Sequence, residues 1–137
     1  MSILAEFFVA TNELAAVYDA KLWPQDDLFM AGGLIPMHLE LLWAILQNRE
    51  WEVDLGDDFD LVCGDGAHSW TLRFPSNLTS LLAEASTTTL DEARIKWANV
   101  EELSADPDHL IDLMAALHRL AQNAMSTGRS LYLWGVL

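Results

Sequence analysis

The chain has 137 residues, 52% of them hydrophobic, and a formal net charge of -14 from 21 acidic and seven basic side chains. Six tryptophans and five phenylalanines support one core of ordinary domain size and exclude a disordered acidic tail. The charge excludes a surface made for nucleic acid or anionic membranes, and it fits either a cationic partner or plain solubility.

Residues 2–10 are apolar, aromatic and short, which predicts a strand. Asn12 is placed to cap a short helix in which Leu14, Val17 and Tyr18 share a face, and Trp23-Pro24 ends it. An irregular connection follows, with one short apolar piece from Leu28 to Met30 before Gly32-Gly33. Pro36 suits the first turn of a helix running to about Gln47, with Leu39, Leu42, Trp43 and Leu46 toward the core. From Arg49 to Asp60, Trp51, Val53 and Leu55 alternate with Glu50, Glu52 and Asp54, which predicts a half-exposed extended segment. Phe59 to Cys63 and Ser69 to Phe74 read as a hairpin turning at Gly64-Asp65-Gly66-Ala67.

The second half is predicted to be helical. Pro75-Ser76 opens a helix carrying Leu78, Leu81 and Leu82. Thr89 and Glu92 form a capping box ahead of Leu90, Ala93, Trp97 and Val100. Asp106-Pro107 starts the longest helix, whose buried stripe is Leu110, Leu113, Met114, Leu117, Leu120, Ala121 and Ala124, and Gly128 stops it. Ser130 to Leu137 closes the chain as a strand. These elements predict an α+β fold, a single domain over residues 1–137. A small, mainly antiparallel sheet with terminal strands and a central hairpin is packed by about four to five helices. The two terminal strands are apolar enough to lie centrally and to pair.

No segment resembles an export signal or reaches the ~18 apolar residues of a membrane span, so the expected location is cytoplasmic. The single cysteine, Cys63, excludes an intrachain disulfide, and a small residue on a strand face is its expected role. The triplet Asn77-Leu78-Thr79 has no export signal to make it a glycosylation site.

Catalytic, metal and cofactor signatures are all missing. His109 and His118 stand nine residues apart, which puts them on opposite faces of one helix. His38 and His68 stand alone, and no zinc spacing, phosphate-binding glycine pattern or nucleophile elbow occurs. Asp57-Asp58-Phe59-Asp60 does not have the spacing of a calcium loop.

Carboxylates are concentrated in the middle of the chain. Glu50, Glu52, Asp54, Asp57, Asp58, Asp60 and Asp65 fall within sixteen residues, and between Lys21 and Arg73 only Arg49 opposes ten acids, Asp26 and Asp27 among them. One anionic face of this kind attracts a cationic protein, and Trp51 and Phe59 are placed to act as its desolvated anchors. The competing expectation is that both rings point inward while the acids solvate a loop.

With its acidic, tryptophan-rich layout and the closing run Gly128-Arg129-Ser130-Leu131-Tyr132-Leu133-Trp134-Gly135-Val136-Leu137, the chain resembles small bacterial proteins of the YfbM-like kind. It is also similar to the immunity proteins that accompany polymorphic toxins. The resemblance implies a cytoplasmic inhibitor that plugs or covers a toxin domain, a non-catalytic immunity protein neutralising a basic toxin by covering its active site. A related reading of the acidic face is mimicry of nucleic acid against a nucleic-acid-binding protein. Two alternatives stay open: a small hydrolase pairing His38 or His68 with a carboxylate, and a regulatory domain whose tryptophans line a ligand pocket.

Overall fold

A computed structural model describes residues 4–137; Ser2 and Ile3 of the first expected strand lie outside the described residues. The sheet has five strands in the order β2-β1-β5-β4-β3, with every neighbouring pair antiparallel. They are β1 (Leu4–Ala10), β2 (Leu28–Gly32), β3 (Asp60–Cys63), β4 (Ser69–Arg73) and β5 (Ser130–Val136). The terminal strands do pair, from Leu4 opposite Val136 to Ala10 opposite Ser130, and β5 is central. The helices are α1 (Asn12–Ala15), α2 (Pro36–Leu46), α3 (Ser76–Glu84), α4 (Thr87–Ala98) and α5 (Ile111–Thr127), with four short 3-10 turns between them.

Strand alternation divides the side chains between two layers. Ala5, Phe7 and Val9 of β1, Leu131 and Leu133 of β5, and Trp70 and Leu72 of β4 face the larger core, which α2 to α5 cover. All seven residues of the stripe from Leu110, just ahead of α5, to Ala124 are buried there, and each fully buried leucine such as Leu117 contributes roughly 2 kcal/mol. Gly128 ends α5 at φ +67, a left-handed conformation that glycine adopts without strain. Phe8, Ala10 and Tyr132 point to the opposite face, where residues 11–27 fold over them. Phe8 is stacked between Tyr18 at 3.9 Å and Tyr132 at 5.1 Å, and Trp23 meets its edge at 5.6 Å while donating Nε1–H to Val9 O.

Local details differ from the sequence expectation in four places. Thr11, rather than Asn12, caps α1, its hydroxyl accepting from Leu14 N; the helix closes at Ala15, and Leu14 and Val17 stay exposed. Leu28 to Gly32 is a true strand because β1 supplies a partner edge. Ser86 caps α4, its hydroxyl accepting from Thr89 N, so Thr89 lies in the first turn. Asp106 caps a 3-10 turn, Pro107–Leu110, that feeds into α5.

Candidate functional site

The stretch from Arg49 to Asp60 is not extended. Val53–Asp58 form a 3-10 helix, and Leu55 and Phe59 are buried with Trp51 partly buried behind them. Trp51 and Phe59 flank the 3-10 helix and Leu55 lies within it, so the inward groups fall every four residues in place of the two-residue alternation of the sequence. Trp51 donates Nε1–H to Glu40 Oε1 at 3.2 Å, while Phe59 packs edge-on against Trp43 at 6.0 Å and Phe74 at 5.6 Å. Both aromatics therefore hold the segment down, and neither is a surface anchor. The outward residue is Val53, 80% exposed and set among Glu50, Glu52, Asp54, Asp57 and Asp58, all exposed.

The remaining acids have separate surroundings. Arg49 pairs with Glu52 at 3.5 Å, and Arg73 pairs with Asp60 across β3 and β4. Asp65 accepts from the backbone N–H groups of Ala67, His68 and Ser69, and these bonds hold its carboxyl well below the usual range; it is a turn former for the hairpin. Asp26 and Asp27 lie beside α5. Arg119 donates to the Asp26 carbonyl at 2.6 Å, and Asp27 is held by Arg129 and Asn123. Glu50, Asp54, Asp57 and Asp58 make no ion pair among the described residues.

This edge borders a cleft of about 750 Å³ at the start of α3 and the end of α5. Asp58, Asp60 and Arg73 line it together with Arg129, Trp43, Asn77 and Ser80. Asn77 Oδ1 accepts from Trp43 Nε1 at 3.1 Å, so this side chain fixes the cleft wall. The histidines expected of a hydrolase lie elsewhere. His38 is buried, with Nδ1 accepting from Ile35 N and Nε2 donating to Glu102 O, both at 3.1 Å, so it ties the start of α2 to the loop after α4. His68 does meet Asp65 at 3.2 Å, but on an exposed turn. His118 Nδ1 donates to Leu82 O and joins α5 to α3, and His109 is exposed. Among the described residues no three His, Cys, Asp or Glu side chains converge as metal ligands, and no helix is long and apolar enough to cross a membrane.

Glu40 couples this edge to α2. Burial pushes its carboxyl above the usual range, against the opposing Trp51 hydrogen bond and with help from nearby Asp57. A raised carboxyl favours the fold most where it is protonated, and that contribution is lost as pH rises through the folded value. Glu40→Gln keeps an acceptor for Trp51 and removes the charge. It is expected to unfold at higher denaturant concentration than the wild type at pH 7, with the gap closing toward pH 4. A variant less stable at pH 7 contradicts this account of Glu40.

Fold and edge together define a small α+β protein with an acidic border, four of whose carboxylates make no ion pair among the described residues, beside a cleft of mixed polar and apolar lining. Compared with protein-family models, curated proteins and solved structures, the chain matches none.

Proposed function

We propose that this is a non-catalytic binding protein that docks a basic protein on its 50–58 edge, in its most concrete form an immunity protein covering the active site of a cognate toxin. The observation that supports this reading is the exposed 3-10 helix itself, where Val53 stands among carboxylates of which Glu50, Asp54, Asp57 and Asp58 make no ion pair among the described residues. Carboxylates around an exposed apolar side chain give a partner both a long-range attraction and a small desolvated contact. Maintaining four unpaired acids along nine residues destabilises the free protein by self-repulsion, and a cationic partner relieves that strain. Both nitrogens of His38 are engaged by backbone, which favours binding over the hydrolase alternative.

The test is titration against the protein encoded by the adjacent gene at two ionic strengths. Binding is expected to weaken at least about tenfold between low and physiological salt, because exposed charges are screened beyond a Debye length. Asp54→Asn, Asp57→Asn and Asp58→Asn combined are expected to weaken binding at low salt and to flatten its salt dependence. Tight binding indifferent to both salt and these substitutions overturns the reading.

A further inference from the structure

Glu6 is the one buried carboxylate among the described residues, 8% exposed, and it projects from β1 on the face of the sheet opposite α2 to α5. Sheet register places Met30 on one side of it and Trp134 on the other. The covering segment of residues 11–27 ends its shelter near here, since Met30 is 62% and Leu4 49% exposed. Tyr18 is the last cover: its ring stacks on Phe8, stands 6.2 Å from Trp134, and its hydroxyl donates to Glu6 Oε1 at 2.8 Å. Burial, together with the Glu6 charge beside it, pushes the Tyr18 phenol above its ordinary range, so that hydroxyl remains a donor and Oε1 remains occupied.

Glu6 Oε2 accepts from no donor among the described residues. The only fully enclosed side-chain polar atom lacking a partner there is Trp70 Nε1, so Oε2 is not completely enclosed. No arginine, lysine or histidine nitrogen of the described residues lies within ion-pair distance of it. With one hydrogen bond and no cation among the described residues, this largely buried carboxylate is incompletely compensated for lost hydration, and an incoming cation corrects the deficit.

We propose that this face carries a cation niche in which an alkylammonium group meets Glu6 Oε2 between the Tyr18 and Trp134 rings, its stem lying on Met30 and Leu4. One free oxygen suits the point charge of an ammonium; the fork of a guanidinium requires two. The aromatic faces add cation–π attraction, and the aliphatic rim accepts a four-carbon stem. The group is the end of a lysine side chain or a free primary amine. The niche lies on β1, β2 and β5, apart from the 50–58 edge, and it stands whether or not that edge docks a partner.

The probe is n-butylammonium, titrated into the intact protein while the Met30 methyl and Trp134 indole signals are followed by NMR. Both are expected to shift saturably, with n-butanol and n-butylguanidinium each at least tenfold weaker. Glu6→Gln, which keeps an acceptor for Tyr18, is expected to lose the response at least tenfold, whereas the Asp54/Asp57/Asp58→Asn variant keeps it. The wild-type comparison of ammonium with alcohol needs no variant to fold. Equal response to butanol, an undiminished response in folded Glu6→Gln, or no saturable shift overturns the niche. Nα-acetyl-lysine methylamide matching n-butylammonium identifies the ligand as a protein lysine, and its exclusion identifies a free amine; both support the niche.

Discussion

Gly135→Ala is expected to destabilise the fold by about 3 kcal/mol, the upper range for forcing extra volume into a packed core. Gly135 lies opposite Trp70 in the β4–β5 pair, and a Cβ there would sit on the indole, against Nε1 and 2.5 Å and 2.9 Å from Cε2 and Cζ2. The indole has nowhere to go, because Trp70 is buried under the helices that close the larger core. Its Nε1–H also has no partner among the described residues, so the ring is held there by packing. Trp70→Phe removes the orphaned donor and the colliding atoms together, and on its own it is expected to cost less than about 1.5 kcal/mol, since relief of the unpaired N–H offsets lost contact. In urea unfolding, Gly135→Ala combined with Trp70→Phe should recover at least about 1 kcal/mol relative to additivity. A Gly135→Ala protein within 1 kcal/mol of the wild type, or strict additivity, contradicts the proposed collision.

The long-range skeleton was legible because a few elements carry unambiguous periods. The stripe from Leu110 to Ala124 has one helical reading, and all of it is buried. The terminal segments are apolar on both faces, which only a central position satisfies, and β1 and β5 do occupy adjoining inner positions. Elements defined by their partners were not legible. Leu28 to Gly32 is too short to declare itself, and it is a strand only because β1 offers an edge. From Trp51 to Phe59 two periods compete in the same letters. The alternation of Trp51, Val53 and Leu55 predicts a half-exposed extended segment, yet the pocket beside Trp43 and Phe74 selects the four-residue spacing.

The candidate surface was legible as a concentration of charge and illegible as geometry. Composition gives no means of distinguishing Asp57, which makes no ion pair among the described residues, from Asp65, whose oxygen gathers three backbone donors. The signal for Asp65 was present, since an aspartate between two glycines is turn chemistry before it is surface charge. Glu6 carried a signal as well: one carboxylate between Ala5 and Phe7, inside an otherwise apolar strand, is a charge the fold must accommodate. Its significance depends on Tyr18, Met30 and Trp134, which only the sheet register brings beside it.

Asp27 shows the same limit at its most consequential, because its partner lies 102 residues away. Arg129 donates to Asp27 Oδ2 at 2.9 Å and to Oδ1 at 3.4 Å, and Asn123 donates to Oδ1 at 2.6 Å. The side chains are 14% and 26% exposed, so breaking the pair strands a guanidinium in poorly hydrated surroundings. Asp27→Ala is therefore expected to cost about 3 kcal/mol at pH 7, and Asp27→Ala with Arg129→Met less than Asp27→Ala alone, since the second change removes the stranded charge. Burial pushes the Asp27 carboxyl upward, but the hydrogen bonds from Arg129 and Asn123 outweigh it and hold the group below its usual range. With the folded value depressed, the stabilisation is complete above the ordinary aspartate range and is lost as pH falls through the folded value. Urea unfolding at pH 7 and near pH 2.5 should thus show the wild type losing most of its advantage over Asp27→Asn at the acid end. An advantage that persists unchanged in acid means that the pair contributes through packing and not through charge.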